Sequence, residues 1–353
     1  MTSLLLRAHP RGRPESVAGV VEWFGAMQAQ DAASGMWSLG ARLPGHTVAD
    51  VRAALERREA LRTWPMRGTV HLVPPRDARW MLELTGVRAL AGAAARRAAL
   101  GLTEADADRA ADVLGDALAG GGRLTRAECL ARLAAAGVDT AGQRGYHVLW
   151  YASQCGVTCI APHVGTEQTF VLLDEWAPDP HRPDRDEALG ILARRYFRGH
   201  GPTTRQDFAG WTGLTATDAK RAIAAAGDAL ATVRVDGVEA VLDAALLDAP
   251  RTSVDDVLVL PGFDEYLLGF KDRTLMLDPA HKQAIIPGGN GVFQATLVRG
   301  GRVVGTWKRT VGRTRATVTL HPLVPLDAAV RARFEAALDG YARFLGLPLR
   351  HTW

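Results

Sequence analysis

The segment Gln28-Ala29-Gln30-Asp31 holds three polar side chains between two predicted helices. On an α-helix, positions i and i+2 lie about 200° apart, so the two glutamines would point in opposite directions. They converge only if the first helix ends near Met27 and the segment is extended or irregular. Asp31 has the residue type of an N-cap for the following helix, AASGMWSLG, which supports a break there.

Glutamine restricts the chemistry that this segment can perform. Its side chain is neutral and cannot act as a general base. Its carbonyl can orient a water molecule and its amide dipole can stabilise charge, which suffices when the leaving group is already activated. The residues alone leave open the alternative that Gln28, Gln30 and Asp31 only cap helices at the surface.

Sequence patterns of other catalytic classes are missing. The chain has no HExxH, P-loop or GxSxG pattern, and Gly-containing segments such as IIPGGNGV do not precede a helix with phosphate-loop spacing. Among the three cysteines, Cys155 and Cys159 have no second pair to complete a zinc site. The sequence therefore predicts no metal and no cofactor.

Several other polar residues are candidates for contact with a nucleic acid. Four lie on a predicted hairpin formed by LRTW and TVHLV, namely Arg62, Arg67, Thr69 and His71. Four more follow in the last third of the chain, namely Lys271, Arg273, Lys308 and Arg309. Phosphate or base contact is one interpretation; a structural histidine, surface arginines and solvated strand ends are the other. The buried core is the expected place for Trp64 and Trp307.

An internal repeat indicates the elements that position these residues. In the region 181–250, three predicted helices, DEALGILARRYFRGH, TTRQDFAGWTG and TATDAKRAIAAAG, precede the strands ALATVRV and VEAVLD. Asp236-Gly237 between the strands is a strong hairpin signal, and Thr203 and Gln206 have capping-box spacing. Three helices followed by a hairpin is the order of a winged helix-turn-helix, a fold that binds nucleic acids.

The same order occurs twice upstream. In the region 86–180, Thr103 begins one helix, Thr125 and Glu128 form a capping box for the next, and VTCIAP and QTFVLL follow as strands. A looser copy occupies 1–85, and the region 251–353 is β-rich, with a hairpin at Gly300-Gly301 and a final helix. The predicted fold is α+β: three tandem winged helix-turn-helix motifs and a C-terminal β-rich, barrel-like subdomain.

Composition is compatible with a DNA-binding protein but does not require one. The 353 residues include 42 Lys and Arg against 38 Asp and Glu, and only four of the basic residues are lysines. Abundant arginine indicates either a GC-rich genome or phosphate contact. No apolar run approaches the roughly 20 residues of a membrane span, and the N-terminus does not have the pattern of a secretory signal. A cytoplasmic, reduced protein is expected.

Four segments resemble the bacterial winged-helix superfamily of the AlkZ and YcaQ DNA glycosylases: GAMQAQD, TWPMRGTVHLV, LPGFDEYLLGFKDR and NGVFQATLVRGGRVVGTWKR. The resemblance covers nearly the whole chain. It implies a C-shaped arrangement with a positively lined channel around duplex DNA, and Asp31, Asp264 and Tyr266 are expected to line that channel. Asp264, Glu265 and Tyr266 also interrupt an apolar run, which predicts an internal surface or interface.

In that superfamily a Gln-aliphatic-Gln motif marks the AlkZ branch, and Gln28-Ala29-Gln30 matches it, although Ala29 is smaller than the expected aliphatic residue. The resemblance implies a monofunctional glycosylase for cationic N7- or N3-alkylated purines, including bulky adducts and crosslinks, that acts as a monomer on double-stranded DNA. It also implies self-resistance to a DNA-alkylating natural product. The alternative from another class is a non-catalytic winged-helix regulator.

Overall fold

The computed structural model describes residues 1–10, 12–249, 253 and 255–353, and the fold is mixed α+β. The first part of the chain forms α1 (Val17–Phe24), β1 (Met27–Gln28), α2 (Ala32–Gly40), α3 (Val48–Glu56), β2 (Leu61–Met66), β3 (Thr69–Val73) and α4 (Ala78–Met81). A π-helical turn, Leu82–Gly86, connects α4 to the next helix. The predicted helix-and-hairpin order of this part is therefore present.

The second part contains α5 (Val87–Gly92), α6 (Ala94–Ala99), α7 (Glu104–Leu118), β4 (Leu124–Thr125), α8 (Arg126–Ala135), α9 (Arg144–Gln154), β5 (Thr158–Val164), β6 (Glu167–Leu172) and α10 (Leu173–Trp176). The third contains α11 (Arg185–His200), α12 (Arg205–Thr212), α13 (Ala216–Ala226), β7 (Leu230–Val235) and β8 (Val238–Asp243). The last contains β9 (Val257–Leu260), α14 (Glu265–Leu268), α15 (Lys282–Ile285), β10 (Ala295–Arg299), β11 (Arg302–Val311), β12 (Ala316–Pro322), α16 (Ala328–Leu345) and β13 (Leu349–Thr352).

Most predicted helix starts and turns are confirmed. Thr103 and Thr125 both form capping boxes, and Asp236 and Gly237 have φ values of 48° and 80°, as a tight hairpin turn requires. The predicted pairing of Thr203 with Gln206 is wrong. The backbone of Thr203 is paired with Val241, so α12 begins one residue later, with a capping box between Thr204 and Asp207.

The first two parts share one six-stranded sheet with the strand order β1-β3-β2-β5-β6-β4. Gln28 lies opposite His71, which lies opposite Thr63, so these three side chains are on one face. Arg62 lies opposite Leu72 and belongs to the other face. The register of this sheet therefore separates the residues of the predicted hairpin into two sets.

The last part forms an open five-stranded sheet with the order β13-β12-β11-β10-β9. Helix α16 packs on this sheet, and the core beneath it also contains residues of the first part, among them Leu5, Phe24 and Met27. Trp64 and Trp307 are buried, as predicted. The division into four units stays a prediction, and its boundary between residues 250 and 251 lies outside the described residues. Within the described part, no helix is long and apolar enough for a membrane span.

Candidate active site

The two glutamines lie on the same side of an extended segment. Helix α1 ends at Gly25, whose φ is +77°, and β1 follows at Met27–Gln28. The backbone N–H of Ala29 donates to the carbonyl of Val70, which continues the pairing with β3 beyond Gln28. In an extended chain, side chains at i and i+2 point to one face. The condition for convergence of Gln28 and Gln30 is therefore met.

The two side-chain amides differ in what they can offer a substrate. The oxygen Oε1 of Gln30 accepts a hydrogen bond of 3.0 Å from the backbone N–H of Val70. Because an N–H can only donate, this bond identifies the oxygen and directs the –NH₂ group of Gln30 elsewhere. Gln30 is exposed, whereas Gln28 is 7% exposed. Within the described part of the chain, the Gln28 amide forms no side-chain hydrogen bond.

A buried carboxylate holds the backbone of this segment. Glu265, the first residue of α14, is 1% exposed, and its Oε1 accepts the backbone N–H of Gln28 at 2.8 Å. Its Oε2 accepts from His200 Nε2 at 3.1 Å and from Trp211 Nε1 at 3.0 Å. Burial alone would raise the pKa of Glu265, but the hydrogen bond and charge of His200 and the bond from Gln28 lower that pKa to about 2. A fixed negative charge therefore lies directly behind Gln28.

His71 lies beside Gln28 on the same face as a neutral imidazole. Burial and the nearby charge of Arg67 lower the pKa of His71 to about 4. Its Nδ1 lies 2.9 Å from the carbonyl of Thr69 and must donate to it, which leaves Nε2 to accept from Arg67 at 3.4 Å. Arg67 is at the exposed turn of the β2–β3 hairpin. The hairpin thus brings Arg67, Thr69 and His71 together with Gln28.

Asp31 and Arg309 meet at the other end of the segment. Asp31 is exposed and is the N-cap of α2, because its carboxylate accepts the backbone N–H of Ser34 at 3.0 Å. The capping role predicted from the sequence is confirmed. Arg309 of β11 lies 3.3 Å from the same carboxylate. Lys308 is the preceding residue, is exposed, and points to the opposite face of β11.

Asp264 and Tyr266 are both buried. Asp264 is 4% exposed, and its two oxygens accept a bidentate pair of bonds from the fully buried Arg42 at 2.8 and 2.9 Å. Ser38 donates to it as well. Tyr266 is 3% exposed and donates to the carbonyl of Gly301. Their burial agrees with the internal surface that was expected for this apolar run, and the channel-lining role of both residues stays a prediction.

Among the described residues, the remaining candidates form no hydrogen bond or ion pair with Gln28, Gln30 or Asp31. Arg62 is on the opposite face of the sheet. Arg273 donates to the carbonyls of Leu267 and Lys271 and lies over the ring of Phe293, so much of its binding capacity is used internally. Lys271 is exposed, next to the start of α12. In the part of the chain that the structure describes, no group of three or more His, Cys, Asp or Glu side chains is arranged to hold a metal ion.

Comparison with known proteins supports the assignment that the motifs indicate. The model of the AlkZ-like DNA glycosylases matches residues 21–344. The chain is also 31% identical over 324 residues to the interstrand DNA cross-link repair glycosylase of Streptomyces sahachiroi, covering 85% of this chain and 83% of that protein. The chain belongs to the AlkZ-like DNA glycosylase family. The solved structure of the S. sahachiroi DNA glycosylase AlkZ matches this AlkZ-like fold with a TM-score of 0.78 at 27% identity, covering 100% of this chain and 97% of that one.

Three residues of this AlkZ-like site were not among the predicted site residues. In the sequence, Glu265 stands out only because it interrupts an apolar run, and no pattern singles out His200 or Trp211. Their positions in the chain are far from Gln28, and a single histidine or tryptophan in an amphipathic helix is typical of a core residue. The acidic pair within VLVLPGFDEYLLGF was the available signal, because an unpaired buried carboxylate requires partners.

Proposed function

We propose that the protein is a monofunctional DNA glycosylase that hydrolyses the N-glycosidic bond of cationic N7- or N3-alkylated purines in duplex DNA. The observation that carries the proposal is the geometry of Gln28 and Gln30. Two neutral amides share one face of an extended segment that is backed by the ionised Glu265. The amides cannot transfer protons, and the carboxylate of the adjacent Asp31 is engaged by Ser34 and Arg309, so the site suits a base that is already a good leaving group.

Gln28, Gln30 and Glu265 have different roles in the proposed reaction. A purine alkylated at N7 or N3 carries a positive charge and leaves as a neutral base, while the deoxyribose develops oxocarbenium character. The unbonded amide of Gln28 accepts a hydrogen bond from the attacking water through its carbonyl. As the C1′–N bond to the base breaks and the C1′–O bond forms, the surplus proton of the water passes to solvent, because neither amide can take it. The –NH₂ group of Gln30 donates to an oxygen of the sugar or phosphate, because its own carbonyl is bonded to Val70. The negatively charged Glu265, paired with His200, keeps the segment in place beneath the developing cation.

DNA contact is proposed for the basic residues that share this side of the molecule. Arg67 and Thr69 on the hairpin, and Arg309 beside Asp31, are placed to bind the phosphates that flank the damaged nucleotide. Lys271, Lys308 and the partly engaged Arg273 would contact more distant phosphates. We infer that the three helix-and-hairpin parts act as winged-helix motifs around a monomer's DNA channel, a hypothesis supported by their repeated element order.

A broad substrate range follows from how the site opens. Gln30 and Asp31 are exposed, so a bulky substituent on the purine need not enter a closed pocket. The relative named as an interstrand cross-link repair glycosylase supports extending the proposal to crosslinked purines. Self-resistance of a bacterium to a DNA-alkylating natural product would be the corresponding biological role. Survival of a sensitive host that expresses the protein, during exposure to alkylating agents, tests that role.

The decisive experiment measures base release from a duplex that contains 7-methylguanine. Replacing Gln28 and Gln30 with alanine should reduce the rate of release at least ~100-fold, because loss of one stabilising hydrogen-bond donor typically costs that much. Binding to the undamaged duplex should be nearly unchanged. The matched control is Gln206→Ala, because Gln206 is exposed on α12 and far along the chain from the segment. Release by the double variant at the wild-type rate would refute the assignment.

The same assay distinguishes a glycosylase from its rivals. A monofunctional enzyme leaves an abasic site that breaks only after heat or alkali, and borohydride traps no covalent complex. Strand scission without alkali would indicate a lyase. A non-catalytic regulator would release no base and would instead protect one specific sequence in a footprint.

A further inference from the structure

A cavity of about 270 Å³ lies behind the catalytic segment, on the side of the sheet away from Gln28 and Gln30. It is bounded by α2, α3 and the strands β1, β2, β3 and β5. Most of its lining is apolar and comprises Ala29, Met36, Leu55, Leu72 and Ile160. Ala29 points to this side because it alternates with its two glutamine neighbours. The small side chain of Ala29 leaves open a space that a larger aliphatic residue at this position would occupy.

One arginine in this cavity is buried without a counter-charge. Arg62 is 9% exposed and lines the cavity, and it forms no ion pair or side-chain hydrogen bond with any residue that the structure describes. Its neighbours across the sheet are Leu72 and Ile160. Burial lowers the pKa of Arg62 to about 10, so the guanidinium remains charged at neutral pH. Buried charges in proteins are normally paired, and this one faces the cavity.

The rim of the cavity adds positive charge. Arg52 is exposed there and carries the charge, whereas burial and the charges of Arg62 and Arg52 lower the pKa of the neighbouring His163, which is neutral at pH 7. Glu56 is the one acidic side chain among the lining residues described, and Arg123 engages both of its oxygens at 2.9 and 3.0 Å. The carboxylate that lies closest to the cavity is therefore already neutralised, and the cavity as a whole favours an anion.

We propose that this cavity binds a small organic carboxylate with an apolar body. Its carboxylate pairs with Arg62, and its apolar body fills the space over Ala29, Leu72 and Ile160. The planar guanidinium fork matches a carboxylate in a bidentate arrangement. An apolar floor stabilises an aryl or branched alkyl group and offers nothing to a hydrated phosphodiester. The bound acid would contact Ala29 directly, between the two glutamines of the motif.

Titration calorimetry with benzoate and phenylacetate, each compared with its uncharged amide, tests the proposal on the full-length protein. The carboxylates should bind at least tenfold more tightly than the amides. Arg62→Met keeps the length of the side chain and removes its charge, so it should weaken carboxylate binding at least tenfold and leave amide binding unchanged. The matched control is Arg132→Met at an exposed position of α8, which should bind as wild type.

Two further readouts separate this role from a structural or DNA-binding one. Because Arg62 has no partner to lose among the residues that the structure describes, Arg62→Met should unfold at the same temperature as the wild type or at a higher one. A lower unfolding temperature would assign Arg62 a structural role and overturn the proposal. Saturating undamaged duplex should not displace benzoate. Displacement of benzoate, together with weaker duplex binding by Arg62→Met, would make Arg62 a phosphate contact and overturn the proposal. Equal affinity for benzoate and benzamide would also overturn the proposal. None of these measurements depends on glycosylase activity.

Discussion

Glu265 offers the sharpest test of how the tertiary structure holds the segment that contains Gln28 and Gln30. Its carboxylate accepts from three donors: Gln28 N–H at Oε1, and His200 and Trp211 at Oε2. In Glu265→Gln, the side chain has a single oxygen, which can occupy only one of the two positions that the carboxylate oxygens hold. The –NH₂ group then faces at least one N–H whichever way the amide is turned. The variant keeps the shape of the side chain but loses its charge and leaves a buried donor unsatisfied.

The cost follows from the pKa of Glu265 and from the hydrogen bonds. A change in the pKa from 4.5 in the unfolded chain to about 2 in the folded protein corresponds to about 3 kcal/mol of stability at pH 7. An unsatisfied buried donor costs about 1–3 kcal/mol by an independent argument, which is the same order. Because the folded pKa is depressed, this stabilisation is complete above pH 4.5 and is lost as the pH falls toward 2. About 1 kcal/mol of it should remain at pH 3.

Denaturant unfolding of both proteins between pH 7 and pH 3 provides the assay. The difference in unfolding free energy should be about 3 kcal/mol at pH 7 and should shrink toward pH 3. Release of 7-methylguanine should also slow, because Gln28 loses its backbone anchor. Glu239→Gln, at an exposed position of β8, is the control and should change neither quantity. If Glu265→Gln is as stable as wild type, or if the gap does not depend on pH, the account of this site is wrong.

Two further predictions concern the same network. The pKa of His71 is about 4 in the folded protein and 6.5 in the unfolded chain. As the pH falls, the unfolded chain therefore takes up a proton at this histidine before the folded protein does, and the free energy of unfolding should fall by about 2 kcal/mol between pH 7 and pH 5. His71→Gln should remove that part of the pH dependence in denaturant unfolding. An unchanged slope of unfolding free energy against pH would contradict this prediction. In Gly269→Ala, the new Cβ would lie 2.1 Å from the His200 ring, so we expect a loss of about 1–3 kcal/mol or more and slower base release. A variant with wild-type melting temperature and activity would show that the ring moves freely.

Local signals in the sequence were sufficient for most elements. Capping residues such as Thr103 and Thr125, and the turn Asp236-Gly237, act through hydrogen bonds and backbone angles within a few residues, so they can be read without the fold. The start of α12 was missed by one residue. There, Thr203 pairs with Val241 of β8, and a contact across 38 positions decides which threonine is free to cap.

In the candidate site, too, some features could be predicted from the sequence and others depend on tertiary contacts. The convergence of Gln28 and Gln30 was a conditional prediction, because it required an extended segment that only pairing with β3 provides. The anchor at Glu265 depends on residues from three distant parts of the chain. Arg62 shows the converse case: its type indicated phosphate contact, but the sheet register places it on the opposite face from Gln28.

The sequence by itself determined the family, most helix starts and hairpins, and the pair of glutamines on which the proposed chemistry rests. These depend on residue types and on spacings of a few positions. The tertiary structure alone decided which face each residue occupies, and which buried charges have partners. The carboxylate of Glu265 accepts from three donors, whereas the guanidinium of Arg62 has no acceptor among the described residues. The physical reason is that desolvation and pairing of a charge depend on every group within a few ångströms, and most of those groups come from distant parts of the chain.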